Sequence, residues 1–317
     1  MAATAFSPGG VRAQQKATPV IGFLGSASSA GFAPQVDGLR KGLAEAGYAE
    51  GKNVTIEYRW ADSHYDRLPA LAAELVALGV SVILASGPPA AVAAKAATAG
   101  IPIIFVVGFD PVSAGLVTSF SRPGANVTGM YLYIEGLVAK NLELLREAAP
   151  AIESVGMMVF PGSPSAKVDA VEIEAAVRSS GKISARILNA GTEAEIDAAF
   201  AELGKSGTAG AIIGTEPYYF SERSHLVAVA AERRVPTIYF AREFATAGGL
   251  MSYGSNIPDI YRQAGIYTAR VLKGERPGDM PVQQPTAFEL VINLKTAKAL
   301  GLTIPPLILA RADELIE

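Results

Sequence analysis

Two hydroxyl residues, Ser86 and Thr215, occupy equivalent places in a pattern that the sequence contains twice. The two stretches read ILASGP (residues 83–88) and IIGTEP (residues 212–217), and each leads from an apolar run into a helical period. A hydroxyl at a strand end and beside a helix N-terminus can hydrogen-bond a ligand, together with free backbone N–H groups. The alternative is that each hydroxyl only caps its helix. Because two similar units would face each other, we favour a ligand cleft over two caps.

Other polar and aromatic residues stand at predicted strand ends and complete this candidate site. We expect Arg242 to hold a ligand carboxylate with its guanidinium, although a salt bridge to the neighbouring Glu243 fits the sequence equally well. Ser86, Ser163 and Thr215 are expected to donate hydrogen bonds to the ligand. Three aromatic side chains are expected to flank its apolar part: Tyr131, Tyr218 and Phe244. The remaining candidates are Ser26, Ser28, Pro88, Asp110, Tyr133, Ser165 and Tyr239.

The composition excludes several kinds of chemistry. The chain has no cysteine and two histidines, His64 and His225, both in polar surroundings. The chain therefore lacks the residues that thiol catalysis, disulfides, iron–sulfur clusters and multi-histidine metal sites require. Dinucleotide, P-loop, metalloprotease and nucleophile-elbow motifs are absent. We predict a protein without catalytic activity, cofactor or metal.

The charge and hydropathy patterns exclude two classes of partner. The net charge is −3 without a Lys/Arg cluster, which argues against nucleic acid. No run of about 18 apolar residues occurs, so we predict that the chain does not span a membrane. Residues 1–13 are interpreted as the end of an export signal, with cleavage after Ala13, or as a disordered terminus.

Short apolar runs alternate with helical periods along the chain, which predicts the elements that position the site. Strands are expected near residues 19–24, 54–60, 80–85 and 101–107, with helices between them. After Tyr133 the alternation restarts, with strands near 154–160, 183–188, 210–214 and 236–240. Helices separating strands imply parallel sheets. We therefore predict an α/β fold of two Rossmann-like lobes, each a doubly wound parallel sheet.

Six stretches of the chain resemble the periplasmic substrate-binding proteins of ABC transporters related to the tryptophan/tyrosine-binding group. They are VIGFL (20–24), GYAEGKNVTIEYR (47–59), DPV (110–112), RPGANVTG (122–129), SYG (252–254) and VINLK (291–295). The resemblance implies a type I periplasmic-binding fold, with a three-segment hinge and a ligand in the cleft. It places lobe one at residues 19–131 plus 254–285 and lobe two at 132–253 plus 286–317, after a segment (1–18) that precedes the fold.

The chain departs from this resemblance at two places. Amino-acid-binding members have an Asn/Ser-rich loop after the first strand of lobe two and an Asp after a later strand. The corresponding stretches here are PGSPS (161–165) and AREF (241–244). Because Arg242 takes the place of that Asp, we expect a carboxylate or other anion rather than an α-amino group to be recognised.

The sequence therefore predicts an exported, periplasmic solute-binding protein that passes a small organic ligand to an ABC permease in the inner membrane. The ligand is expected to carry a carboxylate and an aromatic or amino-acid-like part. Two alternatives stay open: a sensor that presents its ligand to a membrane receptor, and an enzyme on a two-lobed scaffold.

Overall fold

A computed structural model describes residues 18–132, 136–181 and 183–317. The interpreted export signal and Tyr133 lie outside these residues. Within them the strands are β1 Val20–Gly25, β2 Thr55–Trp60, β3 Val82–Ser86, β4 Ile103–Val107, β5 Val127–Tyr131, β6 Ser154–Val159, β7 Ser184–Asn189, β8 Ala209–Ile213, β9 Thr237–Tyr239, β10 Met251–Gly254, β11 Glu289–Asn293 and β12 Glu314–Ile316. The helices are α1 Ala33–Glu45, α2 Leu68–Ala77, α3 Pro88–Ala97, α4 Leu137–Ala148, α5 Pro164–Ser180, α6 Glu193–Ser206, α7 Pro217–Ser221, α8 Arg223–Glu232, α9 Arg242–Thr246, α10 Ile257–Leu272, α11 Leu294–Ala299 and α12 Pro306–Leu309.

The first sheet is parallel throughout, in the order β2-β1-β3-β4-β5. Its inner strands β3 and β4 are fully buried, as an apolar run between two helical layers requires. Alternate residues of β3 enter different cores: Val82 and Leu84 pack towards α1 and α10, whereas Ile83 and Ala85 pack towards α2 and α3. Helices therefore cover both faces, as predicted for a doubly wound sheet.

The second sheet has the order β7-β6-β8-β9-β10-β11-β12 and is mostly parallel. In the described ranges, β10 and β11 are the one antiparallel pair, with Met251 opposite Ile292. The α/β fold with two lobes is thus confirmed, and the prediction of a wholly parallel second sheet is corrected at this pair. The last strand, β12, returns to the parallel direction beside β11.

The chain passes between the two sheets three times. It leaves the first sheet after β5, returns through the link from β10 to α10, and leaves again before β11. Beside β5, the backbone N–H of Gln283 donates to Gly129 at 3.0 Å, and the N–H of Tyr131 donates to Gln283 at 2.8 Å. Among the described residues, no helix combines the length and the apolar character that crossing a bilayer requires.

Helices α1 and α10 pack so closely that only glycine fits at their crossing. A Cβ atom on Gly42 would lie 1.8 Å from the carbonyl oxygen of Arg262, and one on Gly265 would lie 2.4 Å from that of Leu39. Backbone, not a movable side chain, occupies the space. This contact attaches α10 to the first sheet, although α10 follows a strand of the second.

We expect Gly42→Ala to destabilise the protein by about 2 kcal/mol, because the methyl group forces the two helices apart. Urea unfolding followed by circular dichroism measures the change. Gly100→Ala is the matched control, since a Cβ atom there meets nothing within 4 Å. A Gly42→Ala midpoint equal to that of the wild type would contradict this packing.

Candidate ligand-binding cleft

A cavity of about 40 Å³ lies where the carboxyl ends of strands from both sheets meet. From the first lobe it is lined by residues that follow β3 and β4, including Gly87 and Gly108, and from the second by those that follow β8 and β9. Open α/β sheets bind ligands at this edge. A volume of 40 Å³ admits roughly three water molecules, so a larger solute enters only when the lobes separate.

Two other cavities are less suited to a buried ligand. One of about 90 Å³ lies at the hinge and is lined by Tyr131, Ser255 and Gln283 among others. The other, of about 720 Å³, is a groove that α4 lines on the second lobe, beside Lys140 and Arg146. The first lies beside the hinge, at the ends of β5 and β10, and the second lies on the surface of the second lobe, so the interlobe cleft is the candidate ligand site.

Among the described residues, three polar side chains line the cleft besides the phenol of Tyr261. Gln35, near the start of α1, is 0% exposed, and neither its amide oxygen nor its amide nitrogen has a hydrogen-bond partner among the described residues. Thr215 and Glu216 follow β8 on the opposite lobe. A buried amide without a partner costs free energy, which is typical of a group kept to bind a ligand.

Glu216 connects the two lobes through its carboxylate. The Tyr65 hydroxyl of the first lobe donates to Oε1 at 2.5 Å, and the Ser163 hydroxyl of the second donates to Oε2 at 2.5 Å. The side chain is 2% exposed, and burial raises its pKa to about 7, although both hydrogen bonds act to lower it. The site therefore holds a carboxyl group that is ionised only in part at neutral pH.

A second buried acid, Asp169 on α5, lies behind Glu216. Its side chain is 6% exposed, and its Oδ2 would be 2.7 Å from a Cβ atom on Gly214, at the end of β8. Burial, and secondly the negative field of Glu216, raise the pKa of Asp169 to about 7. This region of the second lobe thus concentrates negative charge.

Aromatic rings form the apolar wall of the cleft. Phe32 of the first lobe faces Phe220 of the second, with ring centroids 5.7 Å apart, and also contacts Tyr261 at 6.4 Å. Phe240, after β9, lies 6.2 Å from Phe220. All four rings line the cavity, so the cleft presents aromatic surface from both lobes.

Polar contacts also join the rims of the two lobes. The Ser28 hydroxyl, after β1, donates to the Ser221 hydroxyl at the end of α7 at 3.2 Å. Arg223 of α8 donates to the carbonyl of Gly31 at 3.1 Å. The lobes are therefore in direct contact along one rim of the cleft, between residues 28–31 and residues 221–223.

Of the residues expected from the sequence, Pro88 and Thr215 line the cavity itself. Others support its lining: Ser86 is hydrogen-bonded to Tyr261, and Ser26 accepts from the Ala90 backbone N–H at 3.2 Å. Further supporting residues are Ser28, which bridges the lobes, Ser163, which bonds Glu216, and Tyr218, which packs edge-on against Phe160 at 5.1 Å.

Several expected residues lie elsewhere. Asp110 accepts from the Val112 backbone N–H at 2.8 Å, and the Tyr131 ring packs against Phe120 beside the hinge. The rings of Tyr239 and Phe244 stack on each other at 4.8 Å, both at most 1% exposed, so they belong to the second-lobe core. The Ser165 hydroxyl is buried and without a partner in the described part of the chain, but Ser165 does not line the cleft.

The carboxylate-anchoring role expected of Arg242 finds no support in its placement. Its guanidinium pairs with Glu289 at 3.2 Å and with Glu314, so it ties α9 to β11 and β12. The alternative expectation, a salt bridge from Arg242 to the neighbouring Glu243, is corrected as well, because the carboxylates that pair with Arg242 are those of Glu289 and Glu314. Among the described residues that line the cleft, Glu216 is the one with an ionisable acidic or basic group that could meet a ligand charge, and it is an acid.

Sequence reasoning missed Gln35, Glu216 and the rings of Phe32 and Phe220. Glu216 was part of the repeated pattern, between Thr215 and Pro217, and an acid directly after a buried strand is a usable signal. Gln35 lies in the first turn of a helix, where a polar residue usually faces solvent.

Comparison with known proteins agrees with this architecture. A tyrosine-binding protein of Clostridioides difficile is 29% identical over 276 residues, which are 85% of this chain and 78% of that protein. A conserved domain protein of Vibrio cholerae superposes with a TM-score of 0.86 at 28% identity and covers 94% of this chain and 99% of its own.

Two further structures differ in state. A Streptococcus pneumoniae ABC domain in complex with L-Trp gives a TM-score of 0.85, covering 94% of this chain and all of its own. The ligand-free, open structure of a C. difficile substrate-binding protein gives a TM-score of 0.66 and covers 94% of this chain and 99% of its own. Both structures are 25% identical to this chain in sequence. This difference agrees with the contacts that close the cleft here.

The two lobes, the hinge and the cleft at the strand ends define a periplasmic binding protein of the type I fold. The model of the ABC transporter substrate binding protein family matches residues 21–316, and the chain belongs to that family. It binds a small-molecule ligand in that capacity.

Proposed function

We propose that this protein captures a small aromatic, amino-acid-like solute in the periplasm and delivers it to an ABC permease without chemical change. The observation that carries the proposal is the interlobe cleft, where the buried amide of Gln35 faces Thr215 and Glu216 of the opposite lobe. Export through the segment that ends at Ala13 belongs to the same proposal, as does the lobe assignment (19–131 plus 254–285; 132–253 plus 286–317).

Two observations support an aromatic solute. The rings of Phe32, Phe220, Phe240 and Tyr261 line the cleft, and aromatic surface of this kind stacks against a planar ligand. Relatives at 25–29% identity are described as tyrosine-binding or as a complex with L-Trp.

Thermal-shift titration with L-tyrosine, L-tryptophan and L-phenylalanine tests the proposal. A true ligand raises the melting temperature progressively above its Kd. Gly108→Phe supplies the site control, because a Cβ atom there already approaches Thr215 Cγ2 at 3.2 Å across the cleft. We expect the shift to be lost in Gly108→Phe and kept in Gly100→Phe, whose position is open. No shift with any aromatic amino acid, or an equal shift in both variants, would contradict the proposal.

Gln35→Met is expected to separate stability from binding. Removing the unpaired amide stabilises the ligand-free protein by about 1 kcal/mol, whereas ligand affinity falls because a hydrogen-bonding partner is lost. Urea unfolding and calorimetric titration measure the two effects. Gln263→Met is the control: its amide donates to Asp259 at 2.9 Å, so this change lowers stability and leaves affinity unaltered. Gln35→Met with reduced stability would show that the amide has a structural role.

A further inference from the structure

The cavity of about 90 Å³ beside the hinge is lined by all three segments that pass between the lobes. Met130 and Tyr131 end β5, Ser255 lies in the link from β10 to α10, and residues 283–287 lead into β11. The first two turns of α10 close the remaining side. Because bending at a hinge changes the backbone of the segments that cross it, the shape of this cavity depends on the angle between the lobes.

A buried hydroxyl without a partner lies in the wall of this hinge cavity. Ser255 is 5% exposed, and its hydroxyl oxygen has no hydrogen-bond partner among the described residues. Such a group costs free energy and is typically satisfied by water or by a bound molecule. The hydroxyl of Ser252 is likewise buried and unpaired in the described ranges, but Ser252 does not line the cavity. The two serines therefore offer a matched comparison.

The charges around the hinge cavity favour a neutral occupant. Among the described residues, the lining includes one carboxylate, that of Asp259, and no lysine, arginine or histidine. The two oxygens of this carboxylate accept from the Arg262 guanidinium at 2.7 Å and from the Gln263 amide at 2.9 Å. Because these bonds already compensate the charge of Asp259, neither a cation nor an anion gains a free partner here.

The uncharged part of the lining combines hydrogen-bonding groups with hydrocarbon. The amides of Gln283 and Gln284 and the hydroxyl of Ser255 donate and accept, whereas Met130 and Ile260 are apolar. A volume of 90 Å³ holds roughly six water molecules or one molecule of about six non-hydrogen atoms. A polyol as small as glycerol offers hydroxyls, C–H surface and this size together, whereas an aromatic amino acid is too large.

We propose that the hinge cavity is a second binding site, for a small neutral polyol, and that its occupancy stabilises the closed arrangement of the lobes. The cavity is present together with the contacts that join the lobes, such as Ser28 to Ser221 at 3.2 Å. An occupant that binds this arrangement more tightly than the open one shifts the equilibrium towards closure. Dissociation of a solute from the interlobe cleft then slows, because it requires the lobes to separate.

Methyl NMR with glycerol tests occupancy without any ligand in the cleft. The protein has six methionines, and Met130 is the one whose side chain lines the hinge cavity among the described residues. We expect its methyl resonance to shift saturably as glycerol is added, and that of Met251, in the core of the second lobe, to stay in place. Sorbitol has the same chemistry but is too large for the cavity, so it controls for the solvent. Met130→Leu assigns the resonance.

Substitutions in the lining test where glycerol binds. We expect Ser255→Ala to weaken glycerol binding about fivefold, as loss of one hydrogen bond implies, and Ser252→Ala to leave it unchanged. Ala287 is an exposed residue of the lining, so Ala287→Phe should block the cavity without disturbing the core. This second variant decides the matter even if Ser255→Ala folds poorly.

Stopped-flow displacement of L-tryptophan measures the coupling to the cleft. We expect dissociation from the wild-type protein to be about fivefold slower in saturating glycerol than in sorbitol of equal viscosity. In Ala287→Phe the two rates should be equal, because the hinge cavity is filled.

A Met130 methyl resonance that does not shift saturably would overturn the hinge site, as would equal glycerol affinity in the wild type and folded Ala287→Phe. Equal dissociation rates of L-tryptophan from the wild type in glycerol and sorbitol would overturn the coupling to closure. If no aromatic amino acid binds the cleft, the proposed function falls, whereas the Met130 titration still decides whether the hinge site exists.

Discussion

Joining the lobes covalently is expected to stop ligand uptake. Ser28 and Ser221 lie on opposite lobes with their hydroxyl oxygens 3.2 Å apart, and the chain has no native cysteine to interfere. A double variant, Ser28→Cys with Ser221→Cys, can form a disulfide after small rotations of the two side chains. Because the closed cleft has a volume of only about 40 Å³, the solute cannot enter while the lobes are linked.

We expect oxidation of this double variant to reduce the association rate of L-tyrosine or L-tryptophan on the order of a hundredfold or more. Stopped-flow fluorescence measures the rate, and reduction with dithiothreitol should restore it. Oxidation in the presence of ligand should instead trap it. The single Ser28→Cys variant controls for the substitution. An association rate in the oxidised double variant equal to that of the wild-type protein would show that the ligand does not enter between the lobes.

The ligand-free protein is expected to gain stability as the pH falls from 8 to 5. Burial raises the pKa of Glu216 and of Asp169 to about 7, whereas carboxyl groups in an unfolded chain titrate near 4. The folded protein therefore binds more protons than the unfolded chain in this window, and protons favour folding. The stabilisation is complete below about pH 4 and is lost as the pH rises through 7.

The expected gain between pH 8 and pH 5 is on the order of 3 kcal/mol, since a three-unit pKa shift of one group is worth about 4 kcal/mol in full and about two thirds of it falls in this window. Urea unfolding at the two pH values measures it. Both groups are at least nine-tenths buried, so water screens them little. The double variant Glu216→Gln with Asp169→Asn should lose most of the pH dependence. Stability that falls between pH 8 and pH 5 would contradict the burial of these acids.

The sequence predicted eight of the twelve strands in the described residues, because the signal for them is local, and it missed β5, β10, β11 and β12. Buried parallel strands such as β3 and β8 are continuous apolar runs, and helices between them leave little freedom in how they connect. The repeated pattern around Ser86 and Thr215 also located the edge of the sheet that carries the cleft. The antiparallel pairing of β10 with β11, however, could not be predicted, because it depends on a crossing at the hinge that no local pattern shows.

The site side chains were harder to predict because their roles depend on distant partners. Arg242 pairs with residues 47 and 72 positions further along, so its neighbours in sequence could not reveal its role. Phe32 and Phe220 meet only when the lobes close. The amide of Gln35 has no hydrogen-bond partner within the described part of the chain, a property that exists only after packing is complete.

The most direct test of the cleft as the ligand site is a crystal structure of the protein grown with an aromatic amino acid that binds in solution. Our account predicts ligand density between Gln35 and Glu216, with the ring against Phe32 and Phe220 and contacts from both lobes. Density only in the hinge cavity beside Tyr131, or only in the groove along α4, would contradict it.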